Sequence, residues 1–225
     1  MSSKNIKPIA IIKSDFKEKF GIPRQSGRIN NISNVEFLPP YNDKNAFREL
    51  KKFSHVWLIF GFSEVPEKEF TPLIRPPRLG GNKKVGVFAS RSPFRPNGLG
   101  LSSVEIVDII YSEKNVSIKV KGADLLDGTP IYDVKPYIKK YDSHENATDG
   151  YLSEYIDKKL NVIFEVSPEN FFDKESLIAL KECLSEDPRP AYQNDGRIYG
   201  FKFSDCEIKF SVSGDDLTVL DIEKV

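Results

Sequence analysis

Arg91 and Arg95 stand four residues apart in GVFASRSPFRPNGLGLS, residues 86–102, among prolines, glycines and serines and with no acid in the stretch. Guanidinium groups on a turn-rich loop suit one chemistry above others: gripping a carboxylate or phosphate through paired N–H donors. The acid-free region is wider than that loop. From residue 70 to residue 104 no Asp or Glu occurs, whereas Arg75, Arg78, Lys83, Lys84, Arg91 and Arg95 all do. Such a region is the electrostatic footprint of an anion, and phosphate is the commonest large anionic surface. The same charges also suit a solvated basic face.

The whole chain of 225 residues is neutral, with 33 Lys+Arg against 33 Asp+Glu. That balance hides an asymmetry: residues 1–140 carry 24 basic and 14 acidic side chains, and residues 141–225 carry 9 and 19. The basic part is therefore the candidate for an anionic partner. Metal chemistry finds little to work with, since His55 and His144 are the only histidines and Cys183 and Cys206 form no CxxC, so no metal is expected. No apolar run nears the roughly 18 residues that a membrane span needs, and a cytoplasmic protein is the expectation.

The elements that would carry these residues are mostly strands. IKPIAIIKSDF, VEFLPP, HVWLIFGF and KVGVFAS read as strands, and residues 99–138 as a run of strands broken at 113–115 and at Asp127-Gly128. KNAFRELKKF is the one short helical candidate in this part. Short strands, long Pro/Gly loops and few helices predict a mainly β fold, a closed or nearly closed barrel. The polar, acidic stretch at 142–155 reads as a linker, giving a barrel domain over 1–145 and a small α+β domain over 156–225. In the latter, Ser167 and Pro168 mark the start of a helix. No GxGxxG follows any expected strand, so the phosphate cradle of doubly wound folds is absent.

Six separated segments together carry a family resemblance: FGIPRQSG, FSHVWLIFGF, RPPRLGG, GVFASRSPFRPNGLGLS, DLLDGTPIYDVKPYI and DPRPAY. In them the chain resembles the TsaA-like family, the bacterial TrmO tRNA methyltransferases, over most of residues 5–142 and into the last domain. One departure is visible: the family reads RPNPIGLS where this chain has Gly98 and Leu99, an exchange that loosens the loop and removes no polar group. The resemblance implies a non-Rossmann β-barrel that binds S-adenosylmethionine (SAM) and works as a homodimer. It also implies a substrate, tRNA bearing N6-threonylcarbamoyladenosine at position 37, whose exocyclic nitrogen receives the methyl group.

Carried over position by position, the family's cofactor site falls on Pro23, Arg24, Gln25, His55, Val56, Arg91, Leu101, Asp127, Gly128, Thr129 and Pro130. Within that set Asp127 suits a ribose hydroxyl or an ammonium group, Gln25 both donates and accepts, and either Arg24 or Arg91 suits the cofactor carboxylate. Taken alone, Asp127-Gly128 is also an ordinary hairpin turn, and Val56 and Leu101 are ordinary core positions. Arg75, Arg78 and Arg95 remain for tRNA phosphates or the threonyl carboxylate, and Phe94 for stacking on an unpaired base or for anchoring its loop. Candidate bases for the acylated nitrogen are His55, Asp133, Tyr137 and Asp142. Two other classes remain open at this level: a SAM-binding RNA module or methyltransferase with a different target, and a purely structural protein.

Overall fold

Alternating burial shapes the strands of the computed structural model, which describes residues 5–66, 69–76, 83–113, 115–154, 158–189 and 196–225. Strands β1 (Ala10–Lys13), β2 (Ile32–Phe37) and β3 (His55–Gly61) come first in the chain. A two-stranded hairpin follows, β4 (Leu73–Ile74) with β5 (Val85–Gly86). Then come β6 (Leu99–Tyr111), β7 (Val116–Lys121) and β8 (Pro130–Pro136). Six of these close into a barrel in the order β1-β2-β7-β6-β3-β8, every pairing antiparallel. Closure leaves no unpaired edge. The interior is mainly aliphatic: Ile12, Val35, Leu58, Ile118, Val120 and Ile131 are fully buried, and Phe37, Phe47 and Phe60 complete the core.

KNAFRELKKF is not a single helix. It forms two 3-10 turns, Lys44–Phe47 and Leu50–Lys52, separated because Glu49 takes a left-handed φ of 67° that no continuous helix permits. The linker region holds a one-turn helix, α1 (Lys139–Asp142), and a 3-10 segment, Gly150–Glu154.

The last part of the chain forms β9 (Asn161–Phe164), helix α2 (Lys174–Ser185), β10 (Ile198–Phe203), β11 (Cys206–Ser213) and β12 (Asp216–Lys224). Its sheet runs β10-β11-β12-β9, with β9 parallel to β12, and α2 packs over it. The helix starts later than Ser167-Pro168 suggests. Those residues lead only into a 3-10 turn, Pro168–Asn170, while Asp173 caps α2 by accepting from the Ser176 amide at 2.8 Å.

The two parts share chain. Phe16, just after β1, is fully buried in the second core and meets Phe203 edge-on at 5.8 Å; Ile29 joins the same core. Gly21 has a φ of +90°, and a Cβ there would press into the Phe201 ring, so only glycine fits this crossing. Its carbonyl accepts from the Cys183 thiol at 2.8 Å. Burial pushes that thiol up to about 12, which leaves it inert as a nucleophile. Arg28 clasps Glu186 through Nε and Nη2 at 2.9 and 2.7 Å, and Glu182 takes the amide and side chain of Asn30. Residues 16–30 are thus fastened to the second sheet and helix.

Candidate functional site

On β3 the inward residues Val56, Leu58 and Phe60 are buried, whereas Trp57 and Ile59 face outward and stay half-buried. On β6, Leu101 lies opposite Ile59 and is 53% exposed. This outer wall is the base of a cavity of about 720 Å³, completed by residues 22–25, 62–65, 90–95 and 124–129 in part. The four loops are spread over residues 22–129. The 22–25 loop reaches the wall because the segment leading to it is held by the second domain.

Arg91 donates through Nη1 to Gln25 Oε1, joining two of the loops. Arg95 donates through Nη1 to the carbonyl of Ser90 at 3.1 Å and so braces its own loop. Gly98 closes that loop with a φ of +56° and an amide that bonds the Arg95 carbonyl at 3.0 Å. Proline could supply neither. Glycine here therefore belongs to a defined turn and does not merely loosen the loop.

Asp124 is the half-buried acid of the cavity. Its Oδ1 accepts from the hydroxyl of Ser102, a buried residue of β6, at 2.6 Å. Burial pushes the Asp124 carboxyl above its ordinary value, and the Ser102 hydroxyl, the amides of Asp124 and Ser26 and the Arg91 guanidinium offset only part of that. Glu64, the other carboxylate lining the cavity among the described residues, is exposed and lies 3.6 Å from the Lys19 ammonium.

Along a shared rim that includes Arg24, Gln25, Arg91 and Arg95 the cavity opens into a larger cleft of about 1,960 Å³. Arg75, Phe94 and Tyr132 line this cleft, as do Phe70 and Phe88, which stack at 6.4 Å with 58% and 74% of their surfaces exposed. Exposed aromatics interleaved with arginines are suited to unstacked bases and phosphates.

Of the residues singled out in the sequence, Pro23, Arg24, Gln25, Arg91, Leu101 and Thr129 line the cavity, and Pro130 lines the cleft. Four do not come to it. Val56 is fully buried inside the barrel, and His55 sits at the far end of β3 beside Ser54 and Tyr137. Asp127 spends both oxygens elsewhere, accepting from the Ser14 amide and from Lys17 Nζ at 3.0 Å each. Burial pushes its carboxyl up, but those two donors outweigh it and hold the group below its ordinary value. Gly128, with a φ of +80°, completes the turn and bonds the Ile12 carbonyl. Asp127-Gly128 thus forms a tight turn, closed by the Thr129 amide on the Leu126 carbonyl at 3.1 Å, that leads into β8; it is not a hairpin, because β8 pairs with β1 and β3 and not with β7. Asp133, Tyr137 and Asp142 also lie off the cavity; Asp142 accepts from Trp57 Nε1 at 3.1 Å. Arg78 lies outside the described residues.

Sequence reasoning missed Asp124, Ser102, Phe62, Ser63 and Glu64, and the Phe70–Phe88 pair. Two signals were available: a polar residue at an inward position of β6, and a polar run directly following the buried strand β3.

The profile of the tRNA-methyltransferase O N-terminal domain matches residues 11–143, and that of the TrmO C-terminal domain matches residues 157–225. The chain belongs to the TrmO family. It is 36% identical over 233 residues to the tRNA (adenine(37)-N6)-methyltransferase of Escherichia coli K12, covering 99% of each chain. It is 36% identical over 230 residues to a putative S-adenosylmethionine-dependent methyltransferase of Pseudomonas aeruginosa, covering 97% of each. The crystal structure of TrmO from P. aeruginosa superposes with a TM-score of 0.79 at 29% identity, covering 99% of this chain and all of that one. These TrmO relatives share the barrel and the second domain alike.

Proposed function

We propose that this protein transfers the methyl group of SAM to the exocyclic nitrogen of adenosine 37 in tRNA, where that nitrogen carries a threonylcarbamoyl group. The observation that carries the reading is the pairing of two spaces: a cavity of small-molecule size that opens, across an arginine rim, into a basic cleft with exposed aromatics. A volume of about 720 Å³ falls within the roughly 300–1,000 Å³ usual for ligand pockets. The donor set also suits SAM. Arg91, braced on Gln25, and Arg24 are cations for its carboxylate, Thr129 and Gln25 offer hydrogen bonds, and Ile59 and Leu101 form an apolar wall. When bound, SAM supplies an electrophilic methyl group on a sulfonium that departs as a neutral thioether.

The chain's own work is to bind, align and exclude water. Holding the nitrogen in line with the methyl carbon supplies much of the acceleration, since a well-oriented intramolecular reaction gains up to several kcal/mol. Arg75 and Arg95 at the cleft suit tRNA phosphates or the threonyl carboxylate, and Phe70, Phe88 and Phe94 suit bases of the opened loop. The family's pattern carries two further elements of the proposal, a homodimer and a cytoplasmic site of action. No helix among the described residues is long and apolar enough to cross a membrane.

The experiment compares methyl transfer to tRNA with and without threonylcarbamoyl at position 37. An arginine built to hold the threonyl carboxylate is left unpaired when the modification is missing, which discriminates strongly. We expect a preference above about a hundredfold, some 2.7 kcal/mol. Equal single-turnover rates would refute the modified substrate, and absence of transfer to either tRNA would refute the reaction.

A further inference from the structure

We propose that Asp124 is the catalytic base of the transfer, taking the proton from the exocyclic nitrogen of the target adenosine; this inference rests on the reaction proposed above. An acylated exocyclic nitrogen has its lone pair drawn into the carbonyl and the purine ring, so it attacks a methyl carbon only as its N–H proton leaves. A base must therefore stand inside the cavity. The residues that sequence reasoning offers for this task, His55, Asp133, Tyr137 and Asp142, all lie off it. Among the described residues the cavity holds two carboxylates, and only one is sheltered from solvent: Asp124, half-buried behind Ser102.

The arrangement has the features of a working base. Ser102 is fixed in the barrel wall and holds Oδ1 from below at 2.6 Å, which orients the carboxylate. Limited solvation raises the group's proton affinity toward the operating range. Its charged surroundings in the cavity are Arg91 and Arg95 from the 90–95 loop, Arg24 from the 22–25 loop, and the Lys19–Glu64 pair at the edge. In the transfer the N–H bond breaks and its proton passes to an Asp124 oxygen. The freed electron pair on nitrogen forms the bond to the methyl carbon, and the pair of the carbon–sulfur bond leaves with sulfur. The proton then passes from Asp124 to solvent as product departs.

Calorimetry with SAM and single-turnover transfer on threonylcarbamoylated tRNA, both on the full-length protein, test this with Asp124→Asn and Ser102→Ala. Asp124→Asn keeps the Ser102 hydrogen bond and should bind SAM within about threefold of wild type while losing at least a hundredfold in transfer rate. The wild-type rate should fall as pH is lowered through the Asp124 titration, a limb missing from the residual Asp124→Asn profile. Ser102→Ala removes a donor that favours the charged form, so the acid limb should move to higher pH. A carbon-13 NMR titration of the Asp124 carboxyl should give the same midpoint without any turnover. Transfer at the wild-type rate in Asp124→Asn overturns the assignment and leaves the proposed function standing. A lost affinity for SAM in that variant also overturns it, making Asp124 a cofactor ligand. Should Asp124→Asn fail to fold, an acid limb unmoved in Ser102→Ala overturns it. If wild type transfers no methyl to the tRNA, both proposals fall together.

Discussion

The barrel core and the second core are built from different side chains. Inside the barrel stand Ile12, Val35, Val56, Leu58, Ile118, Val120 and Ile131, compact and mostly β-branched, which fit the narrow interior of six closed strands. The second core is richer in rings, with Phe16, Phe172, Tyr199, Phe201, Phe203 and Phe210 set among leucines, isoleucines and valines around one short helix and one sheet. A four-stranded sheet with a single 12-residue helix has few positions to spend, and large rings fill the space from fewer of them. Even so it borrows. Phe16 and Ile29 come from the N-terminal segment, with Phe20 and Ile22 packed beside them. The difference teaches that the barrel holds itself up and offers its outer wall, whereas the second domain holds the loop that completes the cavity on that wall.

The largest expected effect tests that division of labour. Phe16→Ala empties a fully buried ring from the second core and should cost about 3–5 kcal/mol, read by denaturant unfolding. It should also weaken SAM binding, because residues 22–25 lose the anchor that Phe16 provides on the segment leading to them. Ile118→Ala in the barrel should cost a comparable 2–5 kcal/mol yet leave the affinity of the folded fraction near wild type. If both variants bind SAM equally well, the second domain is not a support for the site.

A smaller effect is expected from the site itself. Arg91→Ala removes a charge-assisted contact worth on the order of 1.5–3 kcal/mol, so SAM affinity should fall by about ten- to a hundredfold. Its fold stability should change little, since the side chain reaches across to Gln25 at an exposed rim. Calorimetry showing undiminished affinity would move the carboxylate site to Arg24.

How much of this could be read from the sequence depends on the range of the interactions involved. The barrel was legible because β-branched alternation along segments such as VSIKVK is a local signal. The arginine loop was legible from composition. The late start of α2 was not, because Ser167-Pro168 and Asp173 are both good caps and only the packing of Phe172 decides between them. His55 and Val56 came from the resemblance alone; the alternation along β3 puts Val56 inside the barrel, as a core position, and period two by itself does not say which face carries a cavity. The fastening of residues 16–30 to the second domain left no local trace: it joins positions such as Arg28 and Glu186, 158 residues apart.

The smallest expected effect contrasts two acids three residues apart in the motif DLLDGTP. Asp127 faces the N-terminal segment that runs to the second domain, and the Ser14 amide and Lys17 hold its carboxyl below the ordinary value. Asp124 faces the cavity, where burial holds its carboxyl above it. Linkage gives these opposite signs. A folded-state pKa below the unfolded one means that Asp127 contributes stability at pH above about 3.9, and that this is lost as pH falls through the folded value. A folded-state pKa above the unfolded one means that ionised Asp124 detracts from stability at neutral pH, and that the penalty disappears as pH falls below the unfolded value. Asp127→Asn should therefore lower stability at pH 7 by on the order of 1 kcal/mol, the loss of an ion pair and a weakened amide contact. Asp124→Asn should leave stability unchanged or raise it, since Asn still accepts from Ser102 and carries no charge to desolvate. The Asp124 difference from wild type should narrow in urea titrations at pH 4, whereas the Asp127 difference should persist there and narrow only at lower pH. Pairs of groups whose surroundings drive them apart mark sites where chemistry has been set against stability. A shared sign for the two substitutions at pH 7 would remove that distinction and, with it, the reason for treating one aspartate as a turn and the other as a base.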